Sequence, residues 1–338
     1  MSNLKDVAKL AKVSTATVSR VLTNKGNVTA ENKRKVMEAV KELNYHPNIL
    51  GRQLRTMETK TILVVVPDIT NTFFSNVLRG IESIAMENGY QVLLGDTQNR
   101  IESEYFNHLY YKKVDGAILL TARTDPQVLN MLFENYPIVL ACEFIEGAEI
   151  PTINIDNISG AQQMTNHLIS LGHERIAHIT GPLDGVLGRD RLKGYRKAMA
   201  HRHLETPDEL IVEGNFSFDS GYHLMEKLLN LKNPPTSVFA ANDEMAIGAI
   251  KSIKANNLSV PEDIAVVGFD GIQMSTIVEP ALTTFSQPTF EIGSNAMELL
   301  ICLLRKERLE EKQVILNGRT VIRESCGYRI QVNDYLKN

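Results

Sequence analysis

Thr15, Ala16 and Arg20 are spaced so that one helix could present all three to a nucleic acid. In the stretch STATVSRVL (14–22), two valines and a leucine recur at helical spacing behind Ser14, a residue type that favours helix N-caps. Arginine can donate two hydrogen bonds to guanine O6 and N7, a threonine can contact a base edge, and an alanine can contact the methyl group of thymine. The pattern predicts a base-reading helix. The same residues could instead form the solvated face of a generic three-helix bundle.

Several nearby polar side chains suit contacts to phosphate, which fix register on DNA without reading its sequence: Ser14, Thr17, Ser19, Asn27 and Tyr45. The charge distribution agrees with this interpretation. Residues 1–60 contain 12 basic and 5 acidic residues, whereas the rest of the chain contains 24 basic and 35 acidic ones. A basic segment on an acidic body indicates a polyanionic partner for that segment. On charge alone, a solvated charged face explains the segment equally well.

A second group of residues lies at the ends of apolar segments that read as strands: Asp68, Phe73, Asp96, Glu143, Asn242, Asp243 and Asp270. In open parallel sheets, ligands bind beyond the carboxyl ends of the strands. The positions therefore predict a small-molecule site at the ends of the strands.

The usual catalytic patterns are missing from the sequence. There is no GxGxxG after the first strand, no phosphate-binding P-loop, no GxSxG and no HExxH. The eight histidines are scattered, and the three cysteines form no CxxC pair. We expect a protein that is not an enzyme and that needs neither a metal nor another cofactor.

The N-terminus carries charges where a secretory signal needs an apolar stretch. The longest strongly apolar run, residues 62–66, is too short to cross a bilayer. Three widely spaced cysteines suit a reducing compartment. These features predict a cytoplasmic protein with no membrane segment.

Three short helices position the base-reading residues, over residues 4–11, 14–22 and 30–43. Residues 44–60 read as a linker, because the stretch 48–55 contains Gly51 and lacks a wide apolar face, so a helix there is marginal in water. From Thr61 onward, near-continuous Val/Ile/Leu strands alternate with amphipathic helices, among them a helix over about 101–112, the pattern of parallel sheets covered on both faces. The pattern predicts nine strands, at 61–67, 91–97, 116–120, 138–142, 152–156, 176–181, 210–214, 237–243 and 264–270. The strands are too many for one compact sheet, so we expect two lobes with a cleft between them.

The predicted fold is a small all-α helix-turn-helix head (1–46), a hinge or linker (47–60) and a two-lobed α/β core (61–338) with two doubly wound parallel sheets. We expect lobe one to comprise about 61–158 and 288–318, and lobe two about 159–287 and 319–338.

Long segments resemble the lactose-repressor (LacI/GalR) family of transcription regulators. They include LKDVAKLAKVSTATVSRVL (4–22), NYHPN (44–48), DITNTFFSNVLRGIE (68–82), GHERIAHITGP (172–182), VFAANDEMAIGAI (238–250) and VPEDIAVVGFD (260–270). The resemblance covers essentially the whole chain, with its motifs in the family's order. It implies a periplasmic-binding-protein-like core and a repressor that binds a pseudo-palindromic operator as a homodimer under the control of an effector.

The resemblance also implies roles for individual residues. Leu54 corresponds to a leucine that family members insert into the minor groove, where an apolar wedge can kink the duplex, and Arg55 beside it suits a phosphate. The implied effector residues lie between the lobes: Phe73, Arg191, Phe216, Asn242 and Asp270, with Glu143 and Asp96 as weaker candidates.

The class of effector is narrowed but not fixed. Family members that bind a purine base carry an arginine and a threonine where this chain has Gly185 and Leu187. A nucleoside or a sugar therefore fits better than a free purine. The alternative is a two-lobed solute-binding protein, or a sensor controlled by a protein partner.

Overall fold

The computed structural model describes residues 3–23, 26–45, 58–98, 100, 102–121 and 123–327. The chain divides into two compact units, Met1–Thr59 and Lys60–Asn338. Most of the predicted linker, including Leu54 and Arg55, lies outside the described residues, as does the end of lobe two from residue 328.

The first unit contains the three helices that the sequence predicts: α1 (Leu4–Ala11), α2 (Thr15–Thr23) and α3 (Ala30–Glu42). Asn3 caps α1 in a capping box with Asp6, and α1 ends at Lys12 in a left-handed conformation (φ 52°). Small and branched apolar residues fill the space between the helices, among them Val7, Ala8, Val18 and Val36. Ala8 is one of these core residues, and its small side chain allows neighbouring helices to approach closely.

The second unit contains two six-stranded sheets. In chain order the strands are β1 (Thr61–Val66), β2 (Gln91–Asp96), β3 (Gly116–Leu119), β4 (Ile138–Ala141), β5 (Thr152–Ile155), β6 (Ile176–Thr180), β7 (Ile211–Glu213), β8 (Ser237–Ala240), β9 (Ala265–Asp270), β10 (Thr283–Ser286), β11 (Gln313–Leu316) and β12 (Arg319–Val321). One sheet has the order β11-β5-β4-β3-β1-β2 and the other β12-β10-β9-β8-β6-β7.

Helices connect and cover these strands: α4 (Phe73–Glu87), α5 (Asn107–Tyr110), α6 (Pro126–Asn135), α7 (Asn157–Ser170), α8 (Val186–His201), α9 (Phe218–Leu229), α10 (Asp243–Ala255) and α11 (Thr289–Leu304). The central strands are buried along their length, as β1, β4 and β9 show. Helices cover both faces of each sheet, so nearly every side chain of these strands is buried and the strands are rich in apolar residues such as Val, Ile and Leu.

The chain passes between the two sheets three times: from β5 to α7, from β10 to α11, and from β11 to β12. These segments lie near residues 156, 287 and 317, close to the lobe limits expected from the sequence. Each sheet is therefore completed by a strand that returns from the other lobe.

The prediction of parallel sheets is confirmed except at one edge, where β12 runs antiparallel to β10. The helix expected over about 101–112 is instead a 3-10 turn (Glu102–Phe106) followed by the single turn of α5. Its first turn is held by the buried Glu102, whose carboxylate accepts the backbone N–H of Thr124 at 3.0 Å. The periodicity of the sequence cannot predict such a long-range hydrogen bond.

In the part of the chain that the structure describes, no helix is both long and apolar enough to cross a membrane.

Two glycines allow α4 and α11 to pack with their backbones in contact. A Cβ added at Gly293 would meet the carbonyl oxygen of Val77, and one added at Gly80 would meet that of Phe290. Because both neighbours are helix backbone, neither can give way as a flexible side chain would.

We expect Gly293→Ala to lower the free energy of unfolding by about 1–3 kcal/mol, the usual cost of overpacking. Glu298→Ala, an exposed position on the same helix, is the control and should change it by less than about 0.5 kcal/mol. The measurement is urea denaturation of the full chain. Equal stability of the two variants would show that α4 and α11 do not need this close approach.

Candidate functional site

The outward face of α2 carries the residues that the sequence assigned to base reading. Thr15, Ala16 and Arg20 are all exposed. Ser14 caps the helix, since its hydroxyl accepts the N–H of Thr17 at 3.1 Å and lies 2.9 Å from the hydroxyl of Thr17. Asn27 is exposed in the loop before α3. The cap therefore fixes the start of α2, and the side chains of Arg20 and Ala16 remain exposed outside the core of the head.

Tyr45 has a different environment from the other predicted phosphate contacts. Its side chain packs in the core of the three helices and is only 8% exposed. Its backbone N–H donates to the carbonyl oxygen of Val40 at 2.9 Å and so closes the end of α3. A phosphate contact by Tyr45 would have to come from its hydroxyl, because a buried ring can still keep its polar end at the surface.

The charges of α3 are largely balanced within that helix. Arg34 lies 2.9 Å from Glu38, and Lys35 lies 2.6 Å from Glu31. Lys35 lowers the pKa of Glu31 by a hydrogen bond and by its charge. By contrast, α1 and the turn after it present Lys5, Lys9 and Lys12 to solvent. The positive surface of the head is therefore concentrated around α1 and α2.

In the second unit, a cleft of about 500 Å³ opens between the lobes at the carboxyl ends of the strands. It is lined by every effector residue that the sequence predicted except Asp96: Phe73, Glu143, Arg191, Phe216, Asn242 and Asp270. The first two belong to lobe one and the others to lobe two. A ligand in this cleft would contact both lobes.

An ion pair lies at the base of the cleft. Nη1 of Arg191 is 3.3 Å from Oδ1 of Asp270, and both side chains are less than 10% exposed. Arg191 also donates from Nε to Oδ1 of Asn157 at 3.0 Å and from Nη1 to the carbonyl oxygen of Ala241. Its guanidinium lies 4.0 Å from the ring centre of Phe269. These contacts compensate a charge that would otherwise be costly to bury.

Burial and pairing act in opposite directions on the two charged groups. Burial lowers the pKa of Arg191, and the charge of Asp270 opposes this. Burial raises the pKa of Asp270 to about 6, while Arg191 and a hydrogen bond from Gln287 oppose the rise. Near neutral pH the pair is ionised, and in mild acid Asp270 takes up a proton.

Phe216 is held in the cleft by its neighbours. Its backbone is left-handed (φ 68°), and its carbonyl oxygen accepts the side-chain amide of Asn242 at 2.9 Å. The side-chain oxygen Oδ1 of Asn242 accepts the backbone N–H of Met245 at 3.0 Å and so caps α10. A Cβ at Gly181 would overlap the ring of Phe216. Asn242 therefore lines the cleft mainly as the residue that positions Phe216.

Three non-glycine residues of the cleft have positive φ angles: Cys142 (71°), Phe216 (68°) and Asp270 (112°). Each follows or ends a parallel strand, namely β4, β7 or β9. Such conformations cost roughly 1–3 kcal/mol each and persist only where surrounding contacts enforce them. At Asp270, the N–H of Gln287 donates to the carbonyl oxygen at 3.0 Å. These conformations lower the stability of the fold, and they direct the three side chains towards the cleft.

The cleft also contains residues that the sequence analysis did not select, among them Asn71, Thr121, Arg123, Cys142, Asp219, Glu244 and Gln287. Thr121 and Arg123 follow the apolar end of β3, so the strand-end rule applied to that segment would have found them. Gln287 could not be found in this way, because β10 was not predicted.

Two residues marked by the strand-end rule do not line the cleft. Asp96 accepts the hydroxyl of Tyr105 at its carbonyl oxygen, 2.7 Å away. Asp243 is fully buried behind the cleft, where its carboxyl group accepts the hydroxyl of Thr284 at 2.6 Å and the N–H of Ile272 at 2.9 Å. Burial raises the pKa of Asp243 to about 8, aided by the charge of Asp270 and opposed by these hydrogen bonds. Asp243 therefore supports the loop that follows Asp270.

At the mouth of the cleft, a hydrogen bond joins the two lobes: the hydroxyl of Thr72 donates to the carboxylate of Glu244 at 3.1 Å.

Among the residues from 3 to 327 that the structure describes, no group of three or more His, Cys, Asp or Glu side chains could hold a metal ion. The arrangement suits recognition of a neutral polar molecule by hydrogen bonds and ring contacts.

Comparison with known proteins identifies relatives of both units. Residues 3–48 match the family described as bacterial regulatory proteins, lacI family, and residues 165–326 match the periplasmic binding protein-like domain. The chain is 39% identical over 327 residues to the HTH-type transcriptional repressor CytR of Escherichia coli K12, covering 96% of each chain.

Two solved structures are similar. The lac repressor dimer bound to operator and the anti-inducer ONPF matches with a TM-score of 0.87 and 30% identity, over 96% of this chain and 99% of that one. A LacI family regulator from Enterococcus faecium with bound ribose matches with a TM-score of 0.70 and 31% identity, over 78% of this chain and 98% of that one.

We expect Asn242→Ala to lower the free energy of unfolding by about 1–3 kcal/mol, because it leaves buried backbone groups of Phe216 and Met245 without partners. Asn230→Ala is the matched control: its amide also bonds a backbone oxygen, that of Glu226, but at an exposed helix end. The control should cost less than about 0.5 kcal/mol. Chemical denaturation measures the free energy of unfolding of both variants. If Asn242→Ala lowers it no more than Asn230→Ala does, Asn242 does not position Phe216.

Proposed function

Because the chain belongs to the LacI family of bacterial regulatory proteins, we propose that it represses transcription as a homodimer on a pseudo-palindromic operator, under the control of a nucleoside or sugar bound between its lobes. It is a DNA-binding transcription regulator with an effector-binding core. The observation that carries the proposal is that one chain combines the exposed face of α2 with a cleft that contains the Arg191–Asp270 pair.

The chemistry of the cleft supports a polyol ligand. Among the described residues, the ion pair and the hydrogen bonds of these two side chains use Nε and Nη1 of Arg191 and Oδ1 of Asp270. Nη2 of Arg191 can therefore donate to one ligand hydroxyl group, and Oδ2 of Asp270 can accept from a neighbouring one. Phe73 and Phe216 supply ring faces for a base or for the apolar face of a sugar. Ribose, present in the Enterococcus faecium structure, and nucleosides both combine vicinal hydroxyls with such a face.

Several surface features support a dimer. The edge strand β2 exposes Leu93 and Leu94, each 37% accessible, and Met86 near the end of α4 is 71% accessible. An unpaired strand edge with apolar side chains favours association with another chain. Pairing two heads doubles the base contacts over two half-sites. The expected dimer surface includes α4 and the region around residues 280–300.

The proposal includes a cytoplasmic location, where a DNA regulator acts, and no enzymatic activity. A regulator controlled only by a protein partner would not need ring faces and a buried ion pair inside a cleft.

Arg20→Ala should relax sequence preference and cost about 1–3 kcal/mol on the specific duplex, because a base contact is lost. The duplex is obtained by selection from a random library with the wild-type protein, and its affinity is compared with that of a scrambled duplex. Lys5→Ala is the control, since a phosphate contact affects both duplexes alike and reduces the salt dependence. If Arg20→Ala lowers the affinity for the specific and the scrambled duplex equally, Arg20 does not read bases.

Effector binding should weaken in mild acid, because a protonated Asp270 no longer offers a charged acceptor to a hydroxyl group. With the pKa of Asp270 at about 6, affinity should be constant above that pH and fall by up to about tenfold per pH unit below it. Titration calorimetry with D-ribose and with cytidine, at about pH 7.5 and about pH 5, measures this. Asp270→Asn should bind weakly and without this pH dependence. A wild-type affinity that does not change between the two pH values would exclude Asp270 as the acceptor.

A further inference from the structure

Two buried amide side chains bond to the Arg191–Asp270 pair from the segments that join the two lobes. Asn157 begins α7, directly after the chain leaves β5, and is 5% exposed. Gln287 lies between β10 and α11 and is 7% exposed. Each therefore occupies a segment in which the chain passes from one lobe to the other.

Asn157 bonds to both lobes. Its Oδ1 accepts Nε of Arg191 in lobe two at 3.0 Å, and its Nδ2 donates to the carbonyl oxygen of Ile155 in lobe one at 3.4 Å. An amide can accept at its oxygen and donate at its nitrogen at the same time. An aspartate in the same place could hold Arg191 but could not donate to Ile155.

Gln287 makes the equivalent connection at the second crossing. Its Nε2 donates to Oδ1 of Asp270 at 2.7 Å, and its backbone N–H donates to the carbonyl oxygen of the same residue at 3.0 Å. On the other side, its carbonyl oxygen accepts the N–H of Thr289 at 2.9 Å, in the first turn of α11 in lobe one. Both members of the ion pair are thus bonded to a segment that joins the lobes.

We propose that Asn157 and Gln287 are positioning residues that transmit the state of the Arg191–Asp270 pair to the segments joining the lobes, and so set the effect of the effector on DNA affinity. The inference rests on the proposed function. A ligand that draws Nη2 of Arg191 or Oδ2 of Asp270 towards itself changes the bonds of both amides. Lobe orientation shifts only to the extent that these bonds differ between the two orientations.

The first test needs neither ligand nor DNA. Hydrogen exchange is measured by mass spectrometry on the free wild-type chain and on Arg191→Lys, which cannot keep the geometry of Nε and Nη1. The peptides followed are 152–158 and 283–290. We expect exchange to rise about two- to thirty-fold in both. Arg196→Lys, at an exposed position of the same helix, is the control. Faster exchange confined to α8, with both crossing peptides unchanged, would overturn the proposal.

The second test separates transmission from ligand affinity. Affinity for the selected duplex is measured with and without D-ribose or cytidine, for wild type, Asn157→Asp and Gln287→Met. We expect the change in DNA affinity caused by the probe to shrink about two- to thirty-fold in both variants. In Asn157→Asp the affinity for the probe itself should be retained, because the carboxylate still holds Arg191. Gln163→Met, an exposed amide on α7, is the control.

The outcomes distinguish this proposal from the proposed function. If Asn157→Asp binds the probe and keeps the full wild-type response, Asn157 does not transmit and the proposal fails. If the wild-type chain responds to neither probe, the effector class proposed above is wrong, and the exchange experiment alone decides whether the two amides connect the ion pair to the crossings.

Discussion

The Arg191–Asp270 ion pair is the interaction on which the organisation of the core depends. A charge pair buried to this extent is stable only if its remaining hydrogen-bonding groups are satisfied. The core meets this requirement in part, with hydrogen bonds that involve Asn157, the carbonyl oxygen of Ala241 and Gln287 and with the ring of Phe269 against the guanidinium, whereas Nη2 of Arg191 and Oδ2 of Asp270 are not part of these contacts. The partners come from different elements, so the pair fixes the relative positions of α8, β8, β9 and the crossing segments. The proposed ligand binding and the proposed communication between the lobes therefore involve the same few atoms.

The cleft shows how a parallel sheet is adapted for recognition. Its strands are buried and offer only backbone and apolar side chains, so polar contacts must come from the residues just beyond them. At Cys142, Phe216 and Asp270 the backbone adopts positive φ angles to turn those side chains inward. Asn242 and Gln287 hold two of these positions with hydrogen bonds. The strain is local, and the surrounding packed helices compensate for it.

The head follows a simpler design. Its core is a small set of apolar side chains, and the caps of α1 and α2 satisfy the first backbone N–H groups of each helix. The exposed residues on the outward face of α2 therefore contribute little to the packing of the head and can vary without affecting the fold. The core has no such separation, since Arg191, Asn242 and Asp270 each combine a place in the cleft with bonds that hold the fold together.

The sequence by itself determined the helices of the head, the strands β1 to β9, the division into lobes and the membership of the six cleft residues. Each of these follows from local periodicity, from strand ends or from motifs that resemble a family. Tertiary structure alone decided what is set by long-range contacts: the antiparallel edge strand β12, the broken helix at Glu102, the burial of Tyr45 and Asp243, and the contacts of Asn157 and Gln287 with the ion pair. Asn157 and Arg191 are far apart in the chain, and no periodic pattern brings them together. Only the packing of α7 on α8 and the return of β10 and β11 to their sheets place these side chains within hydrogen-bond distance.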